Sequence, residues 1–278
     1  MVDEIRRLEL VFSAFDDHSV LSRWRRGGAG ATAPEFDHLC GLALDWQARS
    51  GGAFNPAVGE VTAAWRTAER TGVVPSEAAL AELTRSIAAP RFELHGSVPV
   101  PIGDCRAVQF NAIAKGYIVD CALAAAFGAF DLIELSVNAG GDLAHRGSGS
   151  LTVAIEDPNR PYDNAAPLTT VVVANAALCT SGSSRRGFEV GDRWFSHVID
   201  PRTAWPVDAV VSVSVVAPDA VTADVVATIV GVSERVAGMA FVESLAAEGT
   251  EVAVCIVESD ATVWRNDRWR ELEVDPIS

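Results

Sequence analysis

The sequence predicts a mixed α+β fold with largely antiparallel sheets and flanking helices. Helical periodicity dominates about residues 1–90, whereas short β-rich runs separated by turn residues dominate about 91–278. Strands follow strands in the second part, without the regular strand–helix alternation that builds a parallel sheet. The 278 residues are 49% hydrophobic and 21% charged, which permits a substantial core. No internal repeat or low-complexity tract interrupts them, so one domain over 1–278 is expected, helical first and β-rich after.

Ile5, Leu8, Phe12 and Phe15 fall at helical spacing, so the chain opens on an amphipathic helix. Thr32-x-x-Glu35, with Pro34 in the first turn, reads as a capping box for a helix through Leu39, Ala43 and Trp46. Gly51-Gly52 stops it. Pro56 begins the next helix, with Val58, Val61, Trp65 and Ala68 on one face and Gly72 at its end. Ser76 caps a further helix carrying Leu80, Leu83 and Ile87. From there β runs are expected at 92–94, 98–102 and 107–110, then an Ala-rich helix over about 112–127. A strand over 132–137 ends in the tight turn Asn138-Ala139-Gly140-Gly141-Asp142, and 151–155 and 168–173 are further strands. Over 209–217, Val211, Val213 and Val215 alternate with Ser212 and Ser214, the pattern of a half-buried strand. Asp219 can cap a helix over 220–232, Ser233 another to about 245, and 252–257 is a strand. Residues 263–269, turning at Asn266-Asp267, suggest a terminal hairpin.

A formal net charge of −15 argues against nucleic acid or an anionic membrane as partner, since both demand a basic face. The five cysteines (Cys40, Cys105, Cys121, Cys179, Cys255) are scattered and form no C-x-x-C pair. Zinc-ribbon and disulfide-scaffold readings are therefore poor, and reduced thiols are expected. The opening MVDEIRRLEL lacks the apolar core of a signal peptide. The longest apolar run, 121–130, is far short of the roughly 20 residues a spanning helix needs. The expectation is a soluble, cytoplasmic protein without membrane insertion.

The stretch from Thr180 to Val207 concentrates hydroxyls, glycines, arginines and one histidine. Its middle reads as a hairpin: 188–190, a Gly191-Asp192 turn, then 193–199 returning until Asp200-Pro201 ends the strand. On that reading Thr180-Ser181-Gly182-Ser183 sits at one end and Ser196-His197 on the returning strand. His197 has Asp200 nearby; a structural histidine is the plain alternative. His18, His38, His95 and His145 form no zinc-binding spacing. Ser183-Ser184 is followed by arginines, so it is no nucleophile elbow.

Asp224 and Thr228 lie four apart and share a helix face, with Ala227 on the same turn. A carboxylate, a hydroxyl and carbonyl oxygens suit hard Mg²⁺; a solvated helix face is the alternative. Gly140 and Gly141 let backbone N–H groups approach an anion, or simply form a turn. Ala112-Ile113-Ala114-Lys115-Gly116-Tyr117 sets small residues and one cation at a helix start, suited to phosphate or to close packing.

In order, Phe54-Asn55-Pro56-x-Val58-Gly59, Ala112-Ile113-Ala114-Lys115-Gly116-Tyr117-x-Val119-Asp120, Asn138-x-Gly140-Gly141-Asp142, Thr180-Ser181-Gly182, Ser196-His197-x-Ile199-Asp200-Pro201-Arg202-Thr203 and Ala223-Asp224-x-x-Ala227-Thr228 resemble the ApbE family. The resemblance covers nearly the whole chain. It implies a T-fold-related architecture and transfer of the FMN moiety of FAD to a Thr or Ser of a partner flavoprotein, releasing AMP. FAD hydrolysis to FMN and AMP, or FAD binding without catalysis, are the alternatives. FAD would lie between the two halves of the chain. The metal would be Mg²⁺ on Asp224, Thr228 and the carbonyls of Ala112 and Ala227. Flavin or adenosine contacts would fall on Phe15, Ala53, Phe54, Asn55, Gln109, Lys115 and Ile199, with Gly140, Gly141, Asp142, Thr180, Ser181 and Gly182 completing the cofactor site. His197 would be the general base, with Asp200 beside it. The chain departs from the family pattern at Asn55 and Gln109, where carboxylates are common, and at Ala204, which replaces a glycine. The family's first strand, with its Met-Gly-Thr-type contact, is expected to be absent.

Overall fold

The computed structural model describes residues 1–27, 33–160, 165–182 and 186–275. The expected Thr32 capping box and Ser183-Ser184 lie partly or wholly outside these residues. The chain divides into two compact units, one from Lys115–Arg185 and Asp208–Ser278, the other from Val2–Ala114 and Arg186–Val207.

The first unit is built on a six-stranded antiparallel sheet. Its order is Val263–Arg265, Ala253–Glu258, Val210–Ala217, Ala176–Gly182, Asp142–Gly147, Glu134–Ala139. The helix Ala220–Gly231 packs on the two middle strands, Ala176–Gly182 and Val210–Ala217. Asp219 starts it, its side chain accepting from the Thr222 N–H, and nearly every residue of it is buried. A helix apolar all round belongs inside the molecule. A second core forms where Leu143, Leu178, Val216, Ala253 and Cys255 of the large sheet meet Ile155, Val171, Val173 and Trp269. Those partners come from a three-stranded antiparallel sheet, Glu273–Val274, Thr169–Val173 and Leu151–Ile155, and from the helix Asp267–Leu272.

The Val210–Ala217 strand is therefore buried on both faces, not on one as its Val/Ser alternation predicts. Ser214 survives burial because it is bonded, its Oγ pairing with Thr180 Oγ1 at 2.8 Å. The expected terminal hairpin is also corrected. Asn266 does not turn a hairpin but caps the helix Asp267–Leu272, its Oδ1 accepting from the Trp269 and Val254 N–H groups. A carboxamide that satisfies the first helical turn wins over the turn propensity of Asn-Asp.

The second unit is mainly helical: Val2–Phe12, Val20–Arg25, Pro34–Arg49, Gly59–Thr71 and Glu77–Ala88, with a 3₁₀ turn at Pro56–Val58. The first helix ends at Phe12, so Phe15 lies beyond it and is 88% exposed rather than on its buried face. Gly72 and Ser76 cap as expected, Gly72 in the left-handed conformation. Phe92–His95 and Val98–Pro101 form a hairpin, but 107–110 is irregular. There the Gln109 N–H goes to the Pro56 carbonyl and the Val108 N–H to Cys105 of its own turn, so no strand partner exists for a ladder. Gly187–Val190 and Arg193–Ser196 pair across the Gly191-Asp192 turn, Gly191 at φ +65°. Phe188, Val190 and Phe195 from this hairpin pack with Trp65, Val61 and Ile87.

Candidate active site

In the first unit the charged residues converge at three element starts and faces. Lys115 is the second residue of the helix Ala114–Ala129, Asp142 opens the strand Asp142–Gly147, and Asp224 lies mid-helix in Ala220–Gly231. Lys115 Nζ is 2.5 Å from Asp142 Oδ2 and 3.4 Å from Asp224 Oδ1. The two carboxylate side chains are 2% and 7% exposed. Burial pushes the Asp224 carboxyl above its ordinary range, with Lys115 opposing. Burial works against the Lys115 charge, yet Asp224 and Asp142 outweigh it and raise its pKa. By area the Lys115 side chain is 54% exposed, while its ammonium lies against the two buried carboxylates.

Gly116 explains how these groups come so close. A Cβ there would stand 2.2 Å from the Ala220 carbonyl oxygen, so only glycine lets the two helices meet at this point. The approach brings the Gly116 N–H within 3.4 Å of Asp224 Oδ2. One turn further, Asp120 accepts from the Ala220 and Val221 N–H groups at 2.9 and 3.0 Å. Burial pushes Asp120 up to about 6, against those two donors. Asp120 belongs to the quoted sequence run, but its reach to another helix could not be read from spacing.

Thr228 lies one turn beyond Asp224 on the same helix, half-buried, and its hydroxyl has no hydrogen-bond partner among the described residues. Ala227 is fully buried. Gly140 and Gly141 form the two-residue turn of the Glu134–Ala139/Asp142–Gly147 hairpin, at φ +71° and +102°. That conformation accounts for both glycines, and the Gly141 N–H is taken by Asn138 Oδ1 at 3.2 Å. Thr180, Ser181 and Gly182 are corrected in place. They end a strand of the six-stranded sheet, paired with Ser214, Val213 and Ser212, and are not part of the histidine hairpin. The apolar run Ala177-Leu178-Cys179 that marks this strand is short and runs into polar residues, which hid it.

In the second unit, His197 follows the strand Arg193–Ser196. Its Nδ1 is 2.9 Å from the Arg186 carbonyl oxygen, which can only accept, so Nδ1 carries the proton and Nε2 keeps its lone pair. Burial of its surroundings lowers its pKa, with the Arg186 hydrogen bond opposing. The ring itself stays open to solvent. A backbone carbonyl leaves no trace in side-chain patterns, and Arg186 was accordingly not anticipated. Asp200 does not orient the histidine. Its carboxylate accepts from the Arg202 N–H and guanidinium at 2.9 to 3.0 Å.

Asn55 is 6% exposed and fully engaged: Oδ1 accepts from the Ala57 N–H at 2.8 Å and Nδ2 donates to the Ile87 carbonyl at 2.9 Å. Ala53, Phe54 and Ile199 have buried side chains; the Ala53 and Phe54 N–H groups go to the Ser50 carbonyl and hydroxyl, and Ile199 pairs with Pro206. Gln109 Oε1 accepts from Asn111 Nδ2, and Ala112 lies in the turn before the helix Ala114–Ala129. A cleft of about 810 Å³ in this unit is bordered by Gln47, Asn55, Phe92, Leu94, Pro201 and Arg202.

A sequence model described as the ApbE family matches residues 1–254. The chain belongs to the ApbE family. Two curated relatives are FAD:protein FMN transferases. That of Rhodobacter capsulatus is 34% identical over 203 residues, covering 70% of this chain and 38% of the relative. That of Treponema pallidum is 31% identical over 250 residues, covering 81% and 67%. The chain thus spans well under half the length of the first. Among solved structures, the ApbE protein from Thermotoga maritima superposes with a TM-score of 0.83 at 24% identity, covering 99% of this chain and 90% of that one. The apo flavinyl transferase ApbE of Pseudomonas stutzeri gives 0.77 at 22%, covering 99% and 88%. Both likenesses are to the mixed, antiparallel ApbE fold. Among the described residues no helix is long and apolar enough to cross a membrane, and no group of three His, Cys, Asp or Glu side chains could hold a metal.

Proposed function

We propose that this ApbE chain transfers the FMN moiety of FAD to a Thr or Ser hydroxyl of a partner protein, releasing AMP. The observation that carries the reading is the family match over residues 1–254, within which every assigned residue falls. The tautomer of His197 supports it: with Nδ1–H given to Arg186, Nε2 is free to take the proton of the acceptor hydroxyl. The hydroxyl oxygen then bonds to the FMN-side phosphorus, the bond to the AMP oxygen breaks, and the negative charge leaves on AMP.

The donors in the first unit fit Mg²⁺. Asp224 is a buried carboxylate already drawing a cation, and Thr228 offers a hydroxyl one turn away that is unpartnered among the described residues. Asp224 and Thr228, with the carbonyls of Ala227 and Ala112, would hold the ion. When bound, it neutralises charge on the diphosphate. Lys115 offers its ammonium to the diphosphate, and Gly140, Gly141 and Asp142 frame the same cluster. Thr180, Ser181 and Gly182 border it on the sheet side. In the second unit, Phe15 and Gln109 supply side chains to the flavin or adenosine, and Ala53, Phe54, Asn55 and Ile199 supply backbone groups. Asp200 acts at a distance by fixing Arg202 in the turn after His197.

Incubation with FAD, Mg²⁺ and an acceptor bearing a flavinylation motif should give a fluorescent band in a denaturing gel and free AMP. His197→Ala should abolish the band while sparing FAD affinity. AMP without a labelled acceptor would make the protein an FAD pyrophosphatase, with water as nucleophile. Bound FAD with neither product would make it a flavin-binding protein.

A further inference from the structure

Two buried carboxylates share one ammonium in the first unit, and they share it unequally. Lys115 Nζ is 2.5 Å from Asp142 and 3.4 Å from Asp224. Two negative charges against one positive leave a net negative charge in a place where uncompensated charge is costly. The Gly116 N–H is a weak second partner for Asp224 at 3.4 Å. Asp224 is therefore underneutralised, and the shorter contact assigns the ammonium to Asp142.

We propose that Asp142 is a positioning residue: it holds Lys115 off Asp224, and Lys115 is the resident competitor of a divalent cation for the Asp224 carboxylate. The inference rests on the assignment of the metal to Asp224 above. In the metal-free protein the ammonium stands where part of the ion's charge would act. When an ion binds Asp224, Lys115 retains Asp142 as its partner, and its head remains directed toward the bound ion's neighbourhood. Asp142 thus serves the site without ligating the metal, through a charge pair that keeps a lysine from closing on the wrong carboxylate.

The test is Mn²⁺ binding to the full chain without FAD, read by the free-ion electron paramagnetic resonance signal. Asp142→Asn frees the ammonium to pair with Asp224 alone, and Mn²⁺ affinity should fall roughly 10- to 100-fold, the range typical of outer-shell partners. Lys115→Met removes the competitor, and affinity should rise. In the Lys115→Met background, Asp142→Asn should no longer weaken binding. Equal weakening in both backgrounds would make Asp142 a direct ligand and overturn the proposal. Unchanged or weaker binding by Lys115→Met, with its fold verified by circular dichroism, would overturn it as well. Mn²⁺ binding insensitive to Asp224→Asn would instead overturn the metal assignment, and this inference with it.

Discussion

His197 and Asn55 show how a single atom's partner decides a role. Because burial depresses the His197 pKa, its imidazole is neutral at pH 7 and competent as a base. Protonation removes that competence. The transfer rate should therefore hold at neutral pH and fall through a midpoint below 6.5, measured as initial rates of acceptor labelling at saturating FAD. A midpoint above 6.5 would show an ion pair that His197 does not make among the described residues. Asn55 looked like the loss of a functional carboxylate. The structure gives it a different reason, since only an amide can both accept from Ala57 and donate to the Ile87 carbonyl. Asn55→Asp should lower stability by about 1–3 kcal/mol, the cost of a buried group left unsatisfied, seen as a reduced urea midpoint. Unchanged stability would return Asn55 to the ligand-facing set.

Among elements, the contact between the helices Ala114–Ala129 and Ala220–Gly231 matters most, because Lys115 and Asp224 meet across it. Gly116→Ala should cost about 1–3 kcal/mol of overpacking. It should also push Asp224 away from the competing Lys115 and so raise Mn²⁺ affinity, while Gly128→Ala, at a position where an added Cβ meets nothing, should do neither. Thermal unfolding and the Mn²⁺ titration together check both parts. The helices themselves were legible from the sequence, because Asp219 and Ser76 announce starts and Gly72 announces an end in local chemistry. What joins them was not. Periodicity predicted strands at 92–94 and 98–102 correctly and 107–110 wrongly, since a strand requires a neighbour and the neighbour of Gln109 is a single carbonyl of Pro56. Asn266 failed for the same reason: its side chain serves Trp269 and Val254, and only the second of these is distant in sequence.

At the scale of the whole molecule, ordered motifs carried more than any one of them. Asp224, Lys115 and Asp142 were each unremarkable alone, yet three separate runs of sequence place them within 3.4 Å of one ammonium. Thr180 to Gly182 stand close to His197 in sequence, yet their strand pairs with Val210–Ala217 in the six-stranded sheet. The net charge of −15 has its own consequence for a substrate with an anionic diphosphate. At low ionic strength the Debye length is about 30 Å, so the protein's whole field would repel FAD, the proposed substrate, before any contact forms. At about 0.15 M salt it shrinks to roughly 8 Å, and only the local field of Lys115 and a bound cation remains. The association rate of FAD, followed by flavin fluorescence in stopped flow with Mg²⁺ present, should accordingly rise as NaCl is added. This is the reverse of the salt dependence of a steered, oppositely charged pair. A rate that falls with salt would mean that the positive charge near Lys115 governs the approach at long range, and that the acidic surface lies away from the path FAD takes.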